Sequence, residues 1–250
     1  MTGRSAAEID KQIRRSTGWK LQLALNRIRA SQYAFKKNHH DLHLCLTRLE
    51  PQGICQQDFI SLCRSALDGG MWEVNRMALN YLSTAVALQH HIDQQLRHNN
   101  ELKFLPGLEV VKNAYYKARD TGAEAGLLWF IVGLRNYSLH HALPLVTTKG
   151  TCQSDGSMAV EIELDVRRLR EREEDWPKSR PGREHLHAMS DHENAAMLVA
   201  RHEQALTRLC DTLLEKLQTA FAAELAETES LLQAPLGPVN DRASPSTADG

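Results

Sequence analysis

GAEAGLLWFIVGLRNYSLHHAL, residues 122–143, holds an unbroken apolar run from Leu127 to Val132 followed by a polar, basic end. A helix that is apolar on every face buries every face, so this stretch predicts a central helix enclosed by others. Thr121 with Glu124 three positions later is capping-box chemistry for its start. Pro144, which cannot donate an amide, marks its stop.

A central helix needs neighbours, and the flanking sequence supplies them. Pro106 suits a first helical turn and opens a helix to about Asp120. Helices are predicted over about 72–98, ended by Asn99-Asn100, and about 56–68, ended by Gly69-Gly70. Ser5 and Glu8 form a second capping box, opening a long helix to about Leu49 with an interruption near Gly18, before Pro51 and Gly53. Within it Leu21, Ile28, Phe35, Leu42 and Leu49 recur every seven residues, with Leu25 and Leu46 between them, as in a helix-packing seam. A third box, Ser190 with Glu193, opens a helix from about Asp191 to Leu232, where Leu206, Leu209, Leu213, Leu217, Phe221 and Leu225 step by three or four. The two long helices could pair antiparallel within one chain or pack across a dimer.

Between them, Val160, Ile162 and Leu164 alternate with Glu161, Glu163 and Asp165 after the turn residues Ser154-Asp155-Gly156-Ser157, predicting one β-hairpin over about 145–166. Residues 167–189 mix charges with Pro177, Pro181 and Gly182 and read as a connection with little regular structure. The stretch from Pro235 has the composition of a disordered tail. The expected organisation is a mainly α antiparallel helical bundle: a long N-terminal helix (1–53), a helical core (54–145), the hairpin and connection (146–189), a long C-terminal helix (190–234) and the tail (235–250).

Thirty Lys and Arg against thirty-one Asp and Glu among 250 residues leave a formal charge of −1, so any nucleic-acid contact must be local. The five cysteines are odd in number and lack CxxC spacing, which argues against a disulfide framework or zinc knuckle and fits reduced thiols in the cytoplasm. No apolar run reaches the roughly 20 residues that cross a bilayer. No glycine-rich phosphate loop, nucleophile elbow or repeat period appears, which sets aside nucleotide hydrolases, serine hydrolases and solenoids.

Chemistry concentrates at Arg135 and His140. A guanidinium can hold a phosphate and stabilise charge developing on its oxygens. A histidine can take the proton of a ribose 2′-hydroxyl and supply one to a leaving 5′-oxygen, with no metal or other cofactor. Five residues subtend about 140° on an ideal helix, so the pair does not share a face. The long arginine stem and a last turn distorted by Pro144 could bring the groups together. Asn136 and His140, four apart, do share a face. A second proton-transfer group is wanted: His141, or His140 of a second copy. Asn80, one helix earlier, could orient either residue. The spacing also fits plain structural duties, with Arg135 pairing a carboxylate and His140 a satisfied polar group at a helix end.

Other clusters are weaker. His39 and His43 have i, i+4 metal-ligand spacing, but no glutamate follows His39 and no third ligand is evident. Arg167, Arg168, Arg170 and Arg172, with Lys178, Arg180 and Arg183, form the richest basic stretch. Glu171, Glu173, Glu174 and Asp175 partly cancel it, leaving a solvated face as the leading reading and an RNA rim as a second.

Arginine, a polar residue and a histidine a few positions on, late in a buried helix of a helical domain, resemble the motif of the HEPN superfamily. Arg135, Asn136 and His140 fill its positions. Phe130-Ile131 before, Leu143-Pro144 after, and a preceding helix containing Asn80-Tyr81-Leu82-Ser83 are similar to a bacterial HEPN-like group, over about residues 54–145. The resemblance implies a four-helix core, homodimers with facing motifs, and metal-independent RNA cleavage leaving a 2′,3′-cyclic phosphate or the 3′-phosphate derived from it. Arg135 would stabilise phosphate, His140 transfer protons, and Asn136 and Tyr137 hold the site. Many members act in toxin–antitoxin or antiphage systems, which implies an antitoxin or defence partner. Others have lost activity, so a non-catalytic binding or scaffold module is the alternative.

Overall fold

The computed structural model describes residues 6–50, 52–65, 69–99, 102, 105–140, 146–173, 176 and 179–233. Its elements are α1 (Ala6–Arg15), α2 (Thr17–Leu49), α3 (Gln56–Ser65), α4 (Met71–Asp93, continued by a π-helical turn over Gln94–His98), α5 (Leu108–Thr121), α6 (Ala125–His140), β1 (Val146–Cys152), β2 (Met158–Asp165), α7 (Val166–Arg170), α8 (Arg180–Ala188), β3 (His192–Asn194), α9 (Ala195–Ala220) and α10 (Ala222–Leu232). The protein is mainly helical with a small antiparallel sheet, and no helix among the described residues is long and apolar enough to cross a membrane.

The seam read in the N-terminal helix is the inner stripe of α2: Leu21, Leu25, Ile28, Phe35, Leu42 and Leu46 are buried, and Leu49 is partly buried at its end. Its partners lie in the same chain. Ser16 meets Thr228, Gln32 donates to Asp211 at 2.7 Å and the Phe35 ring contacts His202, so α9 and α10 run antiparallel to α2. On another side α4 also runs antiparallel, with Phe35 against Tyr81 and Ser31 Oγ 2.5 Å from His91 Nδ1. One apolar cluster joins α2, α4, α5, α6, the sheet, α7, α8 and α9.

Several helix ends differ from expectation. The N-terminal break falls at Ser16, whose side chain accepts from Trp19 N and caps α2; Gly18 is a buried helical residue, and Ser5 lies outside the described residues. Gly18 is there for proximity, because the α10 backbone at Glu224 leaves no room for a Cβ. The C-terminal helix is two helices, with Phe221 at φ −123 and ψ 29 leaving helical geometry while its ring is buried. Ser190 and Glu193 do bond, at 3.0 Å, but they close the turn before β3, and Asn194 caps α9 by accepting from Met197 N. Thr121 forms no capping box: its hydroxyl donates back to Lys117 O inside α5, and α6 begins at Ala125. Helix α5 starts at Leu108 after Gly107 at φ 92, two residues beyond Pro106.

The hairpin stands as read, with Gly156 at φ 82 in the turn and Val160, Ile162 and Leu164 facing the core. It gains a third strand, β3, along Glu163–Asp165. The rest of that edge of β2 is also occupied: Ile54 bridges Met158, Gln52 Nε2 reaches Val160 O, and Glu50 Oε1 accepts from Ile162 N at 2.8 Å. Backbone groups that would otherwise invite a foreign strand are thereby satisfied.

Residues 167–189, expected to be irregular, contain the end of α7 and all of α8. Asp165 caps α7 by accepting from Arg168 N, and Val166 and Leu169 anchor it inward. Pro181 sits in the first turn of α8, where its missing amide costs nothing. With Leu186 as its sole large buried apolar side chain, so short a helix shows no readable period. The expected tail, 235–250, lies outside the described residues.

Candidate functional site

Helix α6 is the buried centre the sequence predicts, with Leu127, Leu128, Phe130, Ile131 and Leu134 at 5% exposure or less. Helix α8 crosses it closely because glycines stand at the contacts. Gly182 of α8 approaches the Trp129 carbonyl, and ahead of α8 the Cε3–Cζ3 edge of the Trp176 indole packs on Gly133. Trp176 is 3% exposed and stacks on Phe130 at 5.2 Å and on Tyr137 at 6.5 Å. Sequence reasoning passed over this tryptophan, although one large aromatic in a charged connection is itself a sign of burial.

The helix keeps α geometry through His140, so the expected distortion of its last turn does not occur within the described residues. Arg135 and His140 therefore remain about 140° apart around the axis. His140 continues the stripe of Gly133 and Tyr137 beneath Trp176 and emerges exposed at the helix end. Arg135 follows the stripe of Leu128 and Ile131 and is partly buried. Its Nη1 donates to Asn136 Oδ1 at 3.0 Å. Its Nε is buried with no hydrogen-bond partner among the described residues. Tyr137 is 3% exposed, so it supports the helix by packing. Asn80 is exposed on α4, where its carbonyl accepts from Thr84, and among the described residues its side chain bonds neither Arg135 nor His140. His141 lies outside the described residues.

Arg119 provides the contrast that gives Arg135 its meaning. At 5% exposure it is the more deeply buried of the two, and it is fully compensated: Nη1 donates to both Asp93 oxygens at 3.0 Å, and Nε and Nη2 reach Asp120. The rings of Tyr116 and Trp129 flank it at 4.8 and 5.2 Å. Arg135 forms no ion pair among the described residues. A partly desolvated cation without a counter-charge is a standing cost that an arriving anion would relieve.

A second polar group lies deep in the core. Tyr81 Oη is 2.6 Å from His202 Nδ1 and 3.2 Å from Val199 O. Burial, aided by nearby His39, pushes the His202 pKa down to about 3. An apolar cavity of about 40 Å³ adjoins Tyr81 under Ile131 and Leu134, with no polar lining that could hold a phosphate. The rings of His39 and His43 stack at 6.1 Å, and among the described residues no cluster of three or more His, Cys, Asp or Glu is arranged to hold a metal ion.

No family model, curated protein or solved structure matches the chain.

Proposed function

We propose that the protein is a metal-independent endoribonuclease of HEPN type, acting in the cytoplasm as a homodimer. Arg135 of one copy holds the scissile phosphate, and His140 of the second moves protons between the 2′-hydroxyl and the leaving 5′-oxygen. The observation that carries this reading is the partly buried Arg135 guanidinium, tied only to an amide oxygen and lacking a carboxylate among the described residues. The exposure of His140 on a different stripe of the same helix supports a site completed by a second copy. A toxin–antitoxin or antiphage role, with a partner protein that restrains cleavage, extends the same proposal.

The test is incubation of mixed RNA with purified protein in EDTA, beside Arg135→Ala and Asn136-intact His140→Ala variants. Cleavage to 2′,3′-cyclic or 3′-phosphate ends by the parent alone is expected, and equal cleavage by all three removes the site. The divergence of Arg135 and His140 favours a second reading, a helical binding or scaffold module of the same fold. That reading expects intact partner binding and no cleavage from any of the three proteins.

A further inference from the structure

The basic stretch in the connection takes on a definite shape once α7 is seen. Val166 and Leu169 are buried at 0% and 3%, which turns Arg167 and Arg168 outward, and Arg172 in the following turn is exposed as well. Arg170 behaves differently. It donates to Leu186 O at 3.1 Å and Asp191 at 2.6 Å, and also bonds Met189 O, so it fastens α7 to the segment before β3.

Of the four acidic neighbours, Glu173 is engaged elsewhere, while Glu174 and Asp175 lie outside the described residues. Asp165 caps Arg168 N, Glu173 meets His187 at 3.1 Å and Arg183 at 4.0 Å, and Glu163 faces Lys149 and His192. Glu171 is exposed beside the arginines and offsets one of them. Arg167, Arg168 and Arg172 form no ion pair among the described residues.

The topology brings this surface to the motif. β1 begins at Val146, six residues beyond His140, a span of at most about 20 Å. Val146 pairs with Leu164, two residues before α7 begins. On the far side of the arginines Trp176 lies against Gly133 and Tyr137 of α6. Residues 166–173 thus lie between two anchors on α6, Leu164, which lines one cavity with Ile131 and Leu134, and Trp176, which meets Gly133.

We infer that Arg167, Arg168 and Arg172 form a phosphodiester-binding surface that carries an RNA strand past the end of α6. The inference rests on the proposed RNA chemistry and names the surface that would hold the substrate there. Guanidinium forks suit phosphate oxygens, and on a chain of near-zero net charge such a surface acts locally and salt-dependently. A membrane surface suits it less, because the large apolar residues of α7 point inward.

The experiment titrates a fluorescein-labelled single-stranded RNA of mixed sequence in the His140→Ala background, which prevents cleavage. Adding Arg167→Gln, Arg168→Gln and Arg172→Gln together should weaken binding about tenfold or more and lower the log–log salt slope by about two to three. The three Arg→Lys changes should retain most of the binding, and Arg180→Gln, whose side chain pairs with Glu184, should change nothing. Circular dichroism melting confirms folding of each variant. Unchanged affinity and slope in the Gln variant overturn the surface while leaving the motif reading intact. Absence of RNA binding in the His140→Ala protein, or capture by phosphatidylserine vesicles in place of RNA, also overturns it. Cleavage by the parent in EDTA, lost in Arg135→Ala, reports separately on the motif.

Discussion

The phenolic oxygen of Tyr81 sits 2.6 Å from Nδ1 of His202, and this imidazole is wholly enclosed where α2, α4 and α9 meet. Its folded pKa of about 3 lies below the 6.5 of an exposed histidine, so between those values the unfolded chain binds the extra proton. Stability should be full above pH 6.5 and fall as pH drops toward 3, by on the order of a few kcal/mol. Urea midpoints measured from pH 7 to pH 4.5 should show this decline. In His202→Phe the decline should be shallower, and an equally steep curve would dismiss His202 as its source.

Gly133 should resist the replacement that helix propensity favours. Alanine in a helix interior gains about 1 kcal/mol over glycine. At this position a methyl would lie 2.1 Å from Trp176 Cε3, and overpacking should outweigh the gain, leaving Gly133→Ala destabilised by about 1–3 kcal/mol. Thermal melts of the single and Trp176→Ala double variants check this, since the double should recover the propensity gain relative to Trp176→Ala alone.

Gly18 controls whether α10 stays docked. A side chain there would strike the backbone at Glu224 and the Thr228 hydroxyl, which also bonds Ser16 at 2.9 Å. Gly18→Val should release α10, raising amide exchange over 222–232 while residues 195–217 of α9 keep their protection. Uniform exchange changes throughout the chain would contradict so local an effect.

Arg119 cannot be exchanged for lysine without loss. One fork serves two carboxylates, and an ammonium at the end of a flexible stem cannot reproduce both contacts. Removing it leaves Asp93 and Asp120, both partly exposed, without their shared cation, so Arg119→Ala should cost about 1.5–3 kcal/mol, with Arg119→Lys recovering only part of that. Denaturant titration of the two variants decides it.

If cleavage uses Arg135 and His140 from different copies, two inactive variants should complement. Mixing Arg135→Ala with His140→Ala after subunit exchange yields one intact site in half of the dimers, or about a quarter of parental activity. Activity that stays at background in the mixture, while each variant remains dimeric by light scattering, would place both groups in one chain or in none.

Much of this architecture was visible in the residue pattern. The heptad of α2, the all-round apolar run of α6 and the alternation of β2 are features of sequence neighbours, and each gave an element near the expected place. The motif named Arg135 and His140, and the angle between them follows from helix geometry alone. The boundaries at Ser16 and Phe221, the helix α8 and the strand β3 were not visible, because each depends on a surface supplied by distant chain. Asn194 adopts strand geometry only where Glu163 offers an edge, and Trp176 is core only because Gly133 leaves room.

Local periodicity and turn chemistry thus specified a helical chain with one hairpin and a basic, histidine-bearing end to its central helix, since these properties are written within a few residues of one another. Tertiary contact alone decided that Arg119 meets Asp93 while Arg135 meets no carboxylate among the described residues, and that α10 folds back onto α2 through a Ser16–Thr228 contact spanning 212 residues. Charge compensation and close approach are set by which groups meet in space, and chain separations of that size leave no local pattern to announce them.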